Sequence, residues 1–337
     1  IKGEYHTYIH TYKDLLYCFF VLSMCRWMVY IGPKMRLSSL ITKPKNGIVQ
    51  QAIDAVSYTP GLKSNHQRNH QVNADGFGIS FYDDNKQPHT YRSTKPAWSD
   101  TNLTTLCDNI NTNLTLAHVR AATPGLAIND ANCHPFTFNQ LTFMHNGGIG
   151  GFNKMKRPLS YMFADSIWHN VQGDTDSEYC FHYFLQHLFT NNNKDYDELI
   201  TQEEMENALR QTIDGLQDLQ RKYGDANDIN EQSASMNFCV SNGTEVVASR
   251  MRRPIIEDSP SLYLGTGNDF QYDDEEEVFR FGTNNNAETT VECNGKQLAT
   301  IISSEPLTKI ESDWTLIPEE TLVSINADGE VKLSSLL

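Results

Sequence analysis

Short apolar runs broken by turn residues fill the first half of the chain, and longer stretches of helical period appear in the second. Residues 26–31, 78–82, 114–119 and 141–145 are rich in apolar and β-branched side chains and predict strands. Residues 37–55 predict a first helix. A second begins after Asp174-Thr175-Asp176-Ser177-Glu178, where Thr175 and Glu178 have the spacing of a capping box. The clearest period belongs to Gln202–Tyr223: Met205, Leu209, Ile213, Leu216 and Leu219 recur at three- and four-residue steps, Thr201 and Glu204 form a capping box, and Gly224 is a stop. One face of that helix therefore packs on the body of the protein. Residues 191–194 and 227–235 read as loops and 268–277 as an acidic insertion. Residues 297–336 return to short β-rich runs with a turn at Ala327-Asp328-Gly329. Strands and long helices together, with no GxGxxG or GxxxxGK[ST] loop to cradle a nucleotide, predict an α+β layered domain.

Charge and composition narrow the function classes. Lys and Arg number 27 against 42 Asp and Glu, a formal net charge of −15, which argues against a nucleic-acid groove. The best apolar run, residues 15–24, has ten positions, well short of the roughly 20 that a membrane span needs. The seven cysteines are scattered and no CxxC pair occurs, so neither a disulfide scaffold nor a zinc site is expected. The chain reads as a cytoplasmic protein that needs no metal or other cofactor.

The sequence opens at Ile1, and its first methionine is Met24, directly before Cys25. Residues 1–24 read as an upstream extension or a removed leader. The sequons at Asn102, Asn113 and Asn242 are compatible with secretion. Against a secretory leader stand Glu4 and Asp14 in its basic region and Ser23-Met24 where small residues are preferred. Either reading exposes Cys25 as an amino terminus.

Four segments then carry candidate chemistry. A terminal cysteine joins a nucleophile and an amine in one residue, and an α-amine with a reference pKa near 7.7 to 8.0 serves as a base at neutral pH. Arg120, in His118-Val119-Arg120-Ala121-Ala122-Thr123, offers a planar fork suited to a carboxylate, although a surface ion pair is the commoner use. Asn146-Gly147, followed by Gly148, supplies a side-chain amide and close backbone N–H groups, the inventory of an oxyanion hole. The same dipeptide is also the strongest short hairpin signal. Asp176 at a helix start suits a substrate ammonium, yet it equally suits the orphan amides and the dipole there.

Taken together and in this order, the four segments resemble the class II glutamine amidotransferases, whose glutaminase domain is an N-terminal-nucleophile (Ntn) hydrolase. The resemblance spans nearly the whole chain from Cys25. It implies a four-layer αββα sandwich and one domain over residues 25–337, with insertions near 190–235 and 268–296. It makes Cys25 the nucleophile, Asn146 and Gly147 the oxyanion hole, Arg120 the α-carboxylate ligand, Thr123 a further substrate contact and Asp176 the α-ammonium ligand. Asn132-Cys133-His134-Pro135-Phe136 resembles the family's loop before the oxyanion strand. Cys25-Arg26-Trp27, Asn73-Ala74-Asp75-Gly76-Phe77-Gly78 and Ser304-Glu305-Pro306-Leu307 are similar to a stand-alone subgroup, the amidotransferase-like subunits of fungal cytosolic glutathione-degrading complexes. That subgroup implies hydrolysis of glutathione or a similar γ-glutamyl compound beside a metallopeptidase-like partner subunit. The alternatives are a glutaminase subunit supplying ammonia to a separate synthase and a non-catalytic regulatory subunit. The chain departs from the family's pattern at Arg26, where glycine is usual, and at Pro124-Gly125, where synthase-type members have His-Gly.

Overall fold

The computed structural model describes residues 25–54, 72–122, 127–190, 194–255, 259–273, 278–282 and 297–337. In chain order the strands are β1 (Arg26–Arg36), β2 (Phe77–Tyr82), β3 (Pro88–Ser93), β4 (Asn111–Val119), β5 (Phe136–Phe138), β6 (Leu141–Ile149), β7 (Ala234–Ser241), β8 (Val246–Arg250), β9 (Arg252–Arg253), β10 (Tyr263–Gly267), β11 (Phe270–Asp273), β12 (Val278–Phe281), β13 (Ala299–Ser303), β14 (Thr315–Leu316), β15 (Thr321–Ile325) and β16 (Val331–Ser335). The helices are α1 (Ser38–Ile41), α2 (Ile48–Ile53), α3 (Thr101–Asn109), α4 (Phe152–Ser160), α5 (Asp165–Trp168), α6 (Asp176–Leu185), α7 (Gln202–Tyr223) and α8 (Ile229–Gln232).

One sheet has the order β14-β10-β13-β1-β4-β2-β3 and the other β16-β15-β8-β7-β6-β5, with β9 attached to β7, while β11 and β12 form a separate ribbon. The side-chain period of two sorts each strand into layers. Trp27, Val29 and Ile31 of β1 share one buried cluster with Leu114 and Leu116 of β4 and with Met144, Cys239 and Ala248 of the other sheet. The alternate residues of β1, Met28 and Tyr30, pack instead with residues of α1, α2 and α3. On the outer face of the second sheet, Phe143 and Phe238 meet α4, α6 and α7. The order is helices, sheet, sheet, helices: the expected α+β, αββα sandwich. Because β1 is covered on both faces, its run from Arg26 to Gly32 is buried without a break.

All four predicted strands are present, within β1, β2, β4 and β6, and the 327–329 turn joins β15 to β16. Helix α7 has the expected bounds and a complete capping box between Thr201 and Glu204. Helix α6 has only half of one. Thr175 accepts from the Glu178 N–H, while the Glu178 carboxylate turns to the N–H groups of Gln172 and Gly173 at 2.8 and 2.7 Å. The predicted helix over 37–55 is instead two short helices, α1 and α2, since Pro44 lacks an N–H and Gly47 forms the cap of α2 with extended ψ. The predicted loop over 227–235 contains α8, capped by the Asp228 side chain, and the start of β7 at Ala234, which pairs with Ile149. Residues 1–24 and 191–193, and the acids 274–277, lie outside the described residues. Among the described residues no helix is long and apolar enough to cross a membrane.

The apolar face of α7 is core: Met205, Leu209, Ile213 and Leu216 are fully buried. Replacing Leu209 with Ala should cost about 2 to 5 kcal/mol, seen as a lower urea midpoint at unchanged slope. Asp214→Ala, on the exposed face of the same helix, should stay within about 0.5 kcal/mol of the parent.

Candidate active site

The last ladder pair between β1 and β4 is Arg26 opposite Val119. Cys25 therefore lies one residue beyond the ladder, against the chain as it leaves β4. There the Ala121 N–H donates to Cys25 Sγ at 3.4 Å, and the thiol points back to the Ala121 carbonyl at 3.7 Å. Burial pushes the Cys25 thiol above its ordinary pKa. The Ala121 N–H and the Arg120 and Arg26 guanidiniums pull it down, and the Asp176 carboxylate adds to the rise. Cys25 is thus held mainly as the neutral thiol.

Residues 120–122 are themselves clamped by the 73–76 run. The Asp75 carboxylate accepts from the Ala122 N–H at 2.8 Å, the Asp75 N–H donates to the Arg120 carbonyl at 3.1 Å, and the Arg120 N–H donates to the Gly76 carbonyl at 2.8 Å. Arg120 is 3% exposed, and its Nη1 has no hydrogen-bond partner among the described residues. A buried guanidinium arm without an acceptor is costly, and an anionic ligand would satisfy it.

Asn146 and Gly147 are not a hairpin turn. They continue β6, opposite Asn237 and Met236 of β7. Side-chain alternation puts Asn146 on the inter-sheet face with Met144, and its Oδ1 is buried with no partner among the described residues. Trp27 ties this strand pair to the other sheet, donating from Nε1 to the Asn237 carbonyl at 3.1 Å. At Gly147 a Cβ would overlap the Ser235 carbonyl oxygen, so only glycine allows β6 and β7 to approach this closely.

Asp176 is the first residue of α6 and sits against the end of β6. Its Oδ2 accepts from the Ile149 N–H and its Oδ1 from the Ser177 N–H, each at 2.8 Å. His145 lies behind it. Nε2–H donates to the Ser235 carbonyl at 2.9 Å, so Nδ1 accepts from the Ser177 hydroxyl at 2.9 Å. His118 donates from Nε2 to the His145 carbonyl at 3.1 Å and stacks on His134 with ring centroids 4.1 Å apart. Burial keeps all three imidazoles neutral.

Five of the six residues singled out from the sequence, Cys25, Arg120, Asn146, Gly147 and Asp176, converge at this end of the sandwich, and Thr123 lies outside the described residues. The structure adds partners that the sequence did not assign: the Ala121 backbone, the Asp75 carboxylate, the His145–Ser177 pair and an ion pair from Arg26 to Glu305. Asp75 and Glu305 belong to two runs quoted above for resemblance alone, which was their only signal. Among the described residues no three His, Cys, Asp or Glu side chains gather as metal ligands.

His118 carries a pH dependence. Burial lowers its pKa from 6.5 to about 3. Between those values the unfolded chain binds a proton that the folded chain refuses, so stability is full above the upper value and drains as pH falls, by up to about 1.4 kcal/mol per unit. His134 and His145 act in the same direction. Urea unfolding should show stability falling from about pH 7 to about pH 5, and His118→Gln should flatten part of that slope.

Residues 48–336 match the family model for class II glutamine amidotransferases. The chain is 31% identical over 310 residues, 90% of its length and 82% of the relative's, to the probable glutamine amidotransferase DUG3 of Saccharomyces cerevisiae. It is 33% identical over 124 residues to the gamma-glutamyl-hercynylcysteine sulfoxide hydrolase of Mycolicibacterium smegmatis, a match spanning 37% of this chain and 51% of that protein. Among solved structures, a glutamine aminotransferase class-II domain protein from Silicibacter pomeroyi aligns with 93% of this chain and all of its own at TM-score 0.56 and 22% identity. The glutamine phosphoribosylpyrophosphate amidotransferase of B. subtilis aligns with 93% of this chain and 49% of its own at TM-score 0.51 and 13% identity, a likeness of fold. The family match over residues 48–336 and the 31% identity to the yeast protein together make this chain a member of the class II glutamine amidotransferases.

Proposed function

We propose that this chain is a γ-glutamyl amide hydrolase whose nucleophile is Cys25 acting as an amino-terminal residue. The observation that carries the reading is electrostatic: the thiol lies within the fields of two buried guanidiniums, Arg120 and the Glu305-paired Arg26, and of one carboxylate, Asp176. An amino-acid head group presents the complementary pair, a carboxylate for the unpartnered Nη1 of Arg120 and an ammonium for Asp176. A thiol kept neutral needs a base, and the α-amine of a terminal Cys25 supplies one on the same residue. Sγ attacks the γ-carbonyl, and the thiol proton passes to the amine and then to the leaving nitrogen. Water cleaves the resulting thioester and releases glutamate. Asn146 and the Gly147 N–H hold the oxyanion, and Thr123 is a further substrate contact by resemblance.

The amide we favour is that of glutathione, cleaved to glutamate and Cys-Gly in the cytoplasm beside a metallopeptidase-like partner subunit. Support for a leaving amine larger than ammonia comes from the mycobacterial relatives, whose names specify a γ-glutamyl bond to a sulfur-containing amine. Intact-mass measurement and product analysis on glutamine and glutathione test the reading. Active protein should begin at Cys25, glutathione should yield glutamate and Cys-Gly, and Cys25→Ser should abolish both. Full activity with Met24 still attached would remove the amino-terminal mechanism. Efficient glutamine hydrolysis with glutathione ignored would leave the ammonia donor in its place.

Binding and chemistry should separate by variant. Arg120→Lys keeps the charge but loses the fork, so KM should rise for every γ-glutamyl substrate. Asn146→Ala should lower kcat by about 10² to 10³ with KM little changed. Steady-state kinetics on both variants would reverse these two roles if the pattern came out opposite.

A further inference from the structure

Arg26 and Glu305 form an ion pair that the reaction outlined above does not use. Nε and Oε1 are 2.9 Å apart, and the two side chains are 4% and 3% exposed. Withdrawing both charges from water offsets most of their attraction, and a well-packed apolar pair is often as stable, so stability by itself is a poor reason for such a pair. Its geometry suggests another. Arg26 also donates from Nη1 to the carbonyl of Cys25 at 3.0 Å. Cys25 lies beyond the last ladder pair with β4, Arg26 opposite Val119, and beyond the last with β13, Met28 opposite Ser303. The Arg26 guanidinium takes the place of a strand partner for that carbonyl.

The other end of the pair is firmly anchored. Ser304 exchanges two bonds with Trp27, donating its N–H to the Trp27 carbonyl at 2.9 Å and accepting from the Trp27 N–H at 3.1 Å through Oγ. The Ser261 hydroxyl donates to the Ser304 carbonyl at 2.8 Å, the Gln51 amide to the Glu305 carbonyl at 3.3 Å, and the Asn46 amide to the Pro306 carbonyl at 2.6 Å. Residues from three separate segments thus fix the backbone on which Glu305 stands. Cys25 is held at two points on either side of its Cα: the thiol by the Ala121 backbone and the carbonyl by Arg26.

We propose that Glu305 is a positioning residue for the nucleophile, fixing the carbonyl of Cys25 through Arg26 and thereby setting the directions of the thiol and the adjoining amine. The inference rests on the reading of Cys25 as the nucleophile and adds to it the device that orients that residue. It also gives Arg26 a function at a position where the family usually has glycine.

The test is covalent labelling of the full chain by a γ-electrophilic glutamine analogue, which separates binding (KI) from attack (kinact). Glu305→Gln and Arg26→Lys should each lower kinact by at least about tenfold, since misplacing a reacting atom by about 1 Å costs up to 10²-fold, with KI unchanged within about twofold. Because both act through one bridge, the double variant should be no slower than the worse single one. The apolar pair Arg26→Met/Glu305→Leu keeps the packing without the carbonyl donor and should melt near the parent temperature while losing kinact to the same degree. Parent-like kinact in that folded variant would overturn the positioning role and leave Cys25 as nucleophile. Labelling centred on another cysteine would overturn the nucleophile reading and this inference with it.

Discussion

Strand β1 is paired on both sides and covered on both faces, and the site depends on that confinement. With β4 and β13 holding its two edges, its register is fixed, and a slip of one residue would move Trp27, Val29 and Ile31 from the inter-sheet layer to the helix layer. Such a slip would cost the burial of large side chains, so the strand has one position. Cys25 directly precedes its first residue, Arg26. The burial of β1 therefore delivers the thiol to one end of the space between the sheets, facing the same way as Trp27.

Around that point the other elements contribute by their ends. β4 ends at Val119 and hands over Arg120 and Ala121, β6 ends with Asn146 to Ile149, and α6 begins at Asp176. Antiparallel pairing brings the start of β1 and the end of β4 together, and Trp27 joins the end of β6 to the same place through the carbonyl of Asn237. Strand and helix ends carry backbone groups without ladder or helical partners. Here those groups hold side chains: the Ala121 and Ala122 N–H groups meet Cys25 and Asp75, and the Ile149 N–H meets Asp176.

A second layer of buried polar contacts keeps this arrangement from relaxing. His145 and Ser177 stand behind Asp176, Asp75 stands behind the 120–122 segment, and Glu305 stands behind Arg26. Each is satisfied by a partner that lies far away in sequence, and all but the half-buried Asp75 are removed from water. In a low-dielectric interior such contacts are strong when complete and costly when broken. They make the position of the thiol, amide and carboxylate a property of the whole sandwich.

Period and punctuation made the large elements legible. Helix α7 was readable because its apolar steps, capping box and stop all lie within one local stretch. The strands were readable where apolar runs were unbroken, and the candidate residues were readable from the order of their motifs. Helices α1 and α2 were misread as one because the apolar residues on either side of Pro44 and Gly47 share a period that the backbone cannot carry across. Asn146-Gly147 has two local meanings, turn and strand end. Only the pairing of β6 with β7 over eight consecutive residue pairs decided between them. Likewise Asp75 and Glu305 are ordinary acids in the sequence, because what makes them matter is a partner 47 residues away in one case and 279 in the other. Local chemistry is written in the order of residues, whereas a buried polar contact exists only once tertiary packing has excluded water from both of its ends.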